Sequence, residues 1–188
     1  LYEDRNGISF PSALDVTLDG ADLIVGDTYK PEIMIFNIAG ASESYISFGT
    51  DVPPVADIAA LSGEAFVATE NAVYRVDTGA GSYEQVGDTV DFTIQYYDID
   101  TADSIAYMIS RESREDSGDV YLLRSYDETG AELGSSESDL YRNVTGFAVS
   151  ADYIFLASNV YHCINVLSQA DLALVSQIYY DGAAMQQV

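Results

Sequence analysis

A segment of about a dozen residues recurs along this chain, and its recurrence limits the possible folds more than any other feature. Asp15-Val16-Thr17-Leu18-Asp19-Gly20-Ala21-Asp22-Leu23-Ile24-Val25-Gly26 returns as Asp57-Ile58-Ala59-Ala60-Leu61-Ser62-Gly63-Glu64-Ala65-Phe66-Val67-Ala68. It returns again from Asp98 to Ile109, and Phe147-Ala148-Val149 with Ile154-Phe155-Leu156-Ala157 falls in the same frame. The successive spacings are 42, 41 and 48 residues. Each unit reads as a short strand, a tight turn and a second strand, then a loop, a third strand and a more polar fourth. Clusters of Gly, Asp, Asn and Ser separate the runs of Val, Ile, Tyr and Phe. No window carries a helical apolar stripe. The nearest to one, Asp57 to Leu61, is short and reads equally as a strand.

Units of about 40 to 50 residues with four strands each are the blades of a β-propeller. One such sheet cannot bury both of its faces alone, and stacking sheets around an axis covers them. The expectation is an all-β propeller segment of four four-stranded blade repeats, spanning 11–50, 51–91, 92–140 and 141–183. Gly7-Ile8-Ser9-Phe10 resembles the fourth strand Tyr45-Ile46-Ser47-Phe48, so 1–10 reads as the fourth strand of a preceding blade. The last repeat has its own fourth strand at Ser176 to Tyr180, which points to an excerpt of a larger propeller rather than a closed ring of four. Equivalent repeat positions put Val16, Val25, Ile35, Ile58, Val67, Val73, Ile99, Tyr107, Phe147 and Phe155 in the core.

The first repeat carries a further resemblance. Phe10-Pro11-Ser12-Ala13-Leu14-Asp15-Val16, then Leu23-Ile24-Val25-Gly26-Asp27-Thr28, then Ile33-Met34-Ile35-Phe36 resembles a blade of the NHL type. The match is partial in the second repeat, where Ala68-Thr69 stands for the Gly-Asp-Thr end, and loose in the other two. It covers about 40 residues as a motif. The resemblance implies a propeller that binds proteins or small ligands, with a minority of relatives acting as lactonases, lyases or esterases. No WD signature is present, because the chain has no Trp.

Charge narrows the partners. Seven Lys and Arg stand against 31 Asp and Glu, for a net charge of −24. Such a surface repels nucleic acid and anionic lipid. The charge is spread along the chain and suits a solvated surface on a secreted, calcium-loaded or halophilic protein, so an extracellular or cell-envelope location is expected. No apolar run approaches the roughly 20 residues needed to insert in a membrane as a helix. Cys163 is the only cysteine and His162 the only histidine, which excludes an intrachain disulfide and CxxC-type zinc or haem sites. A lone Cys beside a strand reads as a small buried hydrophobe.

The candidate site comes from the repeat frame. In a propeller, the loops joining the second strand to the third, and one blade to the next, share one rim, and by resemblance that rim binds ligands. Four of the seven cations, Lys30, Arg111, Arg114 and Arg142, map there, with His162 and the tyrosines Tyr29, Tyr141 and Tyr161. Tyr29, Lys30, Arg111, Arg114, Tyr161 and His162 are the expected ligand-binding set, suited to an anion or sugar acid between aromatic walls. The bland reading is that Arg111 and Arg114 neutralise their neighbours Glu112, Glu115 and Asp116 in a solvated loop. Asp98, Asp100 and Asp103 form an Asp-x-Asp-x-x-Asp run that would suit calcium, although it lacks the Gly and distal Glu of an EF-hand; turn chemistry explains it equally. No other cofactor is implied. Asn143-Val144-Thr145 is a glycosylation sequon. One histidine and no Gly-x-Ser-x-Gly elbow give little basis for nucleophilic catalysis. The expected function is an extracellular module that holds a protein or glycan ligand on its rim, within a longer propeller. A lactonase- or lyase-type enzyme and a purely structural spacer are the alternatives.

Overall fold

The computed structural model describes residues 13–20, 22–27, 29–40, 42–61, 63–69, 71–86, 93–180 and 185–187, and within 13–19, 93–98, 180 and 185–187 the backbone alone. Four antiparallel sheets follow one another along the chain. The first holds β1 (Ala13–Asp19), β2 (Asp22–Asp27), β3 (Glu32–Asn37) and β4 (Ser42–Ser47), in that spatial order. The second holds β5 (Val55–Leu61), β6 (Glu64–Thr69), β7 (Val73–Asp77) and β8 (Ser82–Val86). The third holds β9 (Thr93–Ala102), β10 (Ile105–Arg114), β11 (Gly118–Asp127) and β12 (Glu132–Glu137). A 3-10 turn at Asp139–Tyr141 leads to the fourth sheet. That sheet holds β13 (Val144–Val149), β14 (Tyr153–Ser158), β15 (Cys163–Ser168) and β16 (Leu174–Tyr180), with β17 (Met185–Gln187) added at its edge. The expected all-β architecture of four meandering sheets is present, and β17 is a strand the repeat pattern did not contain. Gly7 to Phe10 lies outside the described residues.

Local sequence sets each hairpin. Ala102 pairs with Ile105 across a two-residue turn, with Asp103 at φ 50° and Ser104 at φ 66°. Two consecutive positive φ values mark the primed turn whose twist matches that of the strands it joins. Asp tolerates the left-handed region because its short side chain bonds locally.

Alternation along each second strand then decides which sheet a side chain meets. Ile24, Phe66 and Tyr107 occupy one repeat position and point forward, toward the next sheet in chain order. Their neighbours Val67, Met108 and Leu156 point backward, toward the preceding one. Three buried clusters result. Ile24, Ile33 and Ile35 meet Ile58, Ala65 and Val67. Phe66, Ala68 and Val73 meet Ile99, Ala106 and Met108. Tyr107, Ile109 and Leu123 meet Ile154, Leu156 and Leu167. Among the described residues, no such cluster joins the fourth sheet to the first.

Polar clamps reinforce the joints. An oxygen of Asp57 on the second sheet accepts the Ile99 amide of the third at 2.6 Å, and the Thr101 hydroxyl donates to the Ala60 carbonyl at 2.6 Å. Asp100 on the third sheet accepts the Val149 amide of the fourth at 2.8 Å. In the repeat frame, donor and acceptor of this second clamp both lie two residues further along the first strand of their sheets.

Seven of the ten expected core residues are buried: Val25, Ile35, Ile58, Val67, Val73, Ile99 and Tyr107. The side chain of Val16 lies outside the described residues. Phe147 and Phe155 are only partly buried, and Ile154 and Leu156 take the covered positions on β14. Phe147 packs against the cluster between the third and fourth sheets; for Phe155 the reason is the direction its side chain faces. Phe155 is the forward-facing counterpart of Phe66, and no described sheet follows the fourth. Phe66 is 0% exposed. Phe66→Ala is therefore expected to cost about 3 to 5 kcal/mol in urea unfolding, and Phe155→Ala markedly less. Equal costs for the two would contradict the assignment of faces.

Candidate functional site

One repeat position organises the rim. Asp27, Thr69 and Ser158 end the second strand of their sheets, Ser110 holds the same repeat position within β10, and all four are buried although polar. A buried polar side chain needs a partner, and here the partner is the turn that follows. Asp27 accepts the Tyr29 amide at 2.8 Å. The Thr69 hydroxyl accepts from the Ala72 amide and donates to the Ala72 carbonyl. Ser158 accepts the Tyr161 amide at 3.3 Å. This is the physical content of the Asp-Thr strand end noted in the first repeat: a short oxygen-bearing side chain folds the loop back.

The third sheet departs from this rule. β10 and β11 each run for 10 residues, where the second and third strands of the other sheets have five or six. The segment expected as a loop from Ser110 to Asp119 is a regular hairpin, with Arg111 opposite Tyr121 and Arg114 opposite Gly118. Ser110 has no tight turn to cap and accepts from the Arg124 guanidinium at 3.2 Å.

The hairpin separates the two arginines that the sequence suggested would act together. Arg114 lies on the backward face with Glu112, whose side chain is only 2% exposed. Glu112 is held between Arg114 and Arg124, which is also bonded to it directly. Glu137 and Glu132 complete the network on its outer side. A buried carboxylate is tolerated only with partners of this kind. Arg114 is thus absorbed by the fold.

Arg111 lies on the forward face with Tyr107 and Ile109, toward the fourth sheet. Its one ion pair among the described residues, to Asp119, is long at 3.6 Å. Its Nε is buried with no hydrogen-bond partner among the described residues. Beside it, Ile109, Tyr121, Tyr141, Asn143 and Val144 line a cleft of about 160 Å³ between the third and fourth sheets. The Arg142 guanidinium sits over the Tyr121 ring, 5.9 Å from its centre, within reach of a cation–π attraction. Arg142 has no carboxylate partner among the described residues. Two guanidinium groups therefore flank Tyr121, one across the strand pair and one over its ring. The Tyr141 hydroxyl bonds Ser136 at 3.0 Å, and burial pushes its phenol pKa up, so it stays neutral at pH 7. Asn143 adopts φ 63° and is exposed at the mouth.

The other expected site residues are not drawn into this cleft. Tyr29 is 79% exposed, and Lys30 pairs with Glu32, whose hydrogen bond raises the lysine pKa. Tyr161 and His162 are exposed on the turn after Ser158, with His162 at φ 50°. No described hydrogen bond or ion pair links them to Lys30 or Arg111. Cys163 is buried, which pushes its thiol pKa up and keeps it protonated, and its Sγ donates weakly to Asn165 Oδ1. The Asp run divides too. Asp100 accepts the Thr101 and Val149 amides, Asp103 is exposed in the hairpin turn, and the Asp98 side chain lies outside the described residues. Among the described residues no group of three metal-ligating side chains comes together. The sequence set missed Tyr121, Arg142 and Asn143 as members of one cleft. The signal for Arg142 was available in its position just before the fourth sheet.

The chain matches no family model and no curated protein. It is similar in fold to solved structures. The computationally designed Ika4 protein aligns with a TM-score of 0.64 at 11% identity, over 86% of this chain and 93% of that one. A luciferin-regenerating enzyme aligns at 0.63 and 12% identity, over 93% of this chain and 62% of that one. A protein of unknown function from Bacteroides caccae aligns at 0.60 and 10% identity, over 86% and 58%. The chain thus spans less than two thirds of the two natural proteins. At these identities the likeness is one of fold.

The Glu112 network generates its own expectation. Glu112→Ala leaves Arg124 charged and largely buried, and should cost about 3 to 5 kcal/mol in denaturant unfolding. Arg114→Ala, at a side chain 32% exposed, should cost about 1 kcal/mol or less. The reverse order would mean that the hairpin is held by something else.

Proposed function

We propose that this chain is a β-propeller segment, part of a larger NHL-like propeller, that acts as a binding module for an acidic sugar. The four stacked sheets and their likeness to the solved structures support a propeller, and the residues of the first repeat support the NHL relation. One observation carries the ligand assignment. In a chain of net charge −24, the guanidinium of Arg111 keeps a buried Nε without a partner, and Arg142, across Tyr121, has no described carboxylate. Cations in so acidic a protein are expected to find carboxylates within it. Arg111, whose pair to Asp119 is long at 3.6 Å, and Arg142, which has none described, lie beside one small cleft and are suited to a carboxylate from outside, which an arginine can take with paired N–H donors. The tyrosine faces suit the C–H side of a sugar ring. The cleft holds about 160 Å³, below the roughly 300 Å³ of drug-sized pockets, which suits one sugar unit of a longer chain presented at the rim. An acidic glycan also fits an extracellular or envelope setting. The groups lining the cleft supply charge, hydrogen bonds and ring faces, which is the equipment of a binder.

Calorimetric titration with D-glucuronate tests this. Saturable binding is expected with glucuronate and none with glucose. Arg111→Ala should weaken it about tenfold or more, equivalent to about 1.4 kcal/mol, and added salt should weaken it further by screening. Absence of binding, or binding indifferent to Arg111→Ala, would overturn the assignment. Binding of a Glu-rich peptide in place of glucuronate would move the ligand class to protein.

A further inference from the structure

The two inner strands of the third sheet run past the level at which the other sheets turn. β10 continues from Ser110 to Arg114 before its turn, a rise of about 13 Å. The other three sheets turn back after Asp27, Thr69 and Ser158. The extra length stands above the rim as a wall. Its forward face looks over the turn that follows Ser158, where Val160 is exposed and Tyr161 is 49% exposed. Alternation puts Arg111 and Ser113 of β10 on that face, with Tyr121 and Asp119 of β11 opposite them. The wall therefore changes chemistry with height. At its foot are Tyr121, the Arg111 guanidinium and the cleft, with Arg142 over the ring. One step higher is the carboxylate of Asp119, 44% exposed. Ser113 donates to its Oδ1 at 2.6 Å. Its Oδ2 lies 3.6 Å from Arg111, beyond ordinary hydrogen-bond length. Glu115 and Asp116 are exposed at the tip above it. Among the described residues no cation shares the forward face above Arg111, since Arg114 lies on the other side with Glu112.

We infer, on the reading that the cleft takes an acidic sugar, that the ligand is a glycan in which acidic and neutral sugars alternate, and that Asp119 is the residue that selects it. The foot of the wall has guanidinium groups for one carboxylate. The next unit of the same glycan lies within about 8 Å of the first, the reach of exposed charge at physiological ionic strength. There it meets Asp119. An ionised carboxylate only accepts hydrogen bonds. Oδ2 of Asp119 suits a neutral sugar, whose hydroxyl or amide N–H donates to it. It repels a second uronate carboxylate, which has nothing to donate. Tyr161, on the turn facing the wall, is suited to the apolar side of that neutral unit. A polymer of uronates alone would set like charges side by side at this step, with no cation on the wall to offset them.

Calorimetric titration of the 188-residue chain with three probes decides the matter. They are free glucuronate, a hexasaccharide alternating glucuronate with N-acetylglucosamine, and a hexamer of glucuronate alone. The alternating hexasaccharide is expected to bind about tenfold or more tighter than the glucuronate hexamer, because like charges suppress the wrong partner. Asp119→Asn keeps the shape and removes the charge, and should cut that preference to about threefold or less. Ser113→Ala releases Asp119 from its hydrogen bond but keeps its charge, and should retain the preference. Tyr161→Ala should weaken the alternating hexasaccharide about fivefold. Equal binding of the two hexamers, binding of neither, tighter binding of the glucuronate hexamer, or a preference indifferent to Asp119→Asn would each overturn the inference. Free glucuronate has no second unit and reports on the cleft alone. Its failure to bind falls on the cleft reading, whereas its binding without discrimination between the hexamers falls on the role of Asp119.

Discussion

Everything in this molecule depends on a sheet having two faces. The central two strands of each sheet carry apolar side chains on both sides, so each sheet needs a neighbour on both sides. Ile24, Phe66 and Tyr107 supply one side of a joint, and Val67, Met108 and Leu156 supply the other. The outermost strands need no such cover, and their composition follows: Ser42–Ser47 and Ser82–Val86 are mostly exposed and polar. The stacking is therefore written into the alternation of the inner strands. The repeat length serves only to return the chain to the start of the next sheet.

This explains what could be read directly from the sequence. The sheets, their order and most of the buried positions follow from a repeat and a period of two. A single frame cannot say which of two adjacent apolar residues faces forward, and that is where Phe155 was misplaced relative to Leu156. It also cannot tell an insertion that becomes a loop from one that lengthens a hairpin. Residues Arg111 to Arg114 read as a charged loop because Arg and Glu alternate. In a strand the same alternation sends Arg111 to one face and Glu112 and Arg114 to the other, so one arginine joins a cleft and its neighbour joins an ion network. Two further members, Tyr121 and Arg142, come from distant parts of the repeat, and only the stacking of sheets brings them together.

The acidic composition has a structural counterpart. With so few cations, four of the six described ones are closely committed: Lys30 to Glu32, Arg75 to Glu64 and Glu84, Arg114 and Arg124 to Glu112. These pairs hold strands of one sheet together rather than joining sheets. Cohesion between sheets is left to apolar contact and to carboxylates that accept backbone amides, neither of which needs a positive charge. A fold built this way can carry a large negative surface without weakening its joints.

The carboxylate clamps have one more effect. β1, β5, β9 and β13 are each the first strand of their sheet, with one long side not paired within that sheet. Unpaired amides on such a strand invite any extended peptide that drifts past. Asp57 occupies the Ile99 amide and Asp100 occupies the Val149 amide. The two side chains therefore act as stoppers as well as fasteners: the first-strand edges of the third and fourth sheets are partly closed to foreign strands before any ligand or partner arrives.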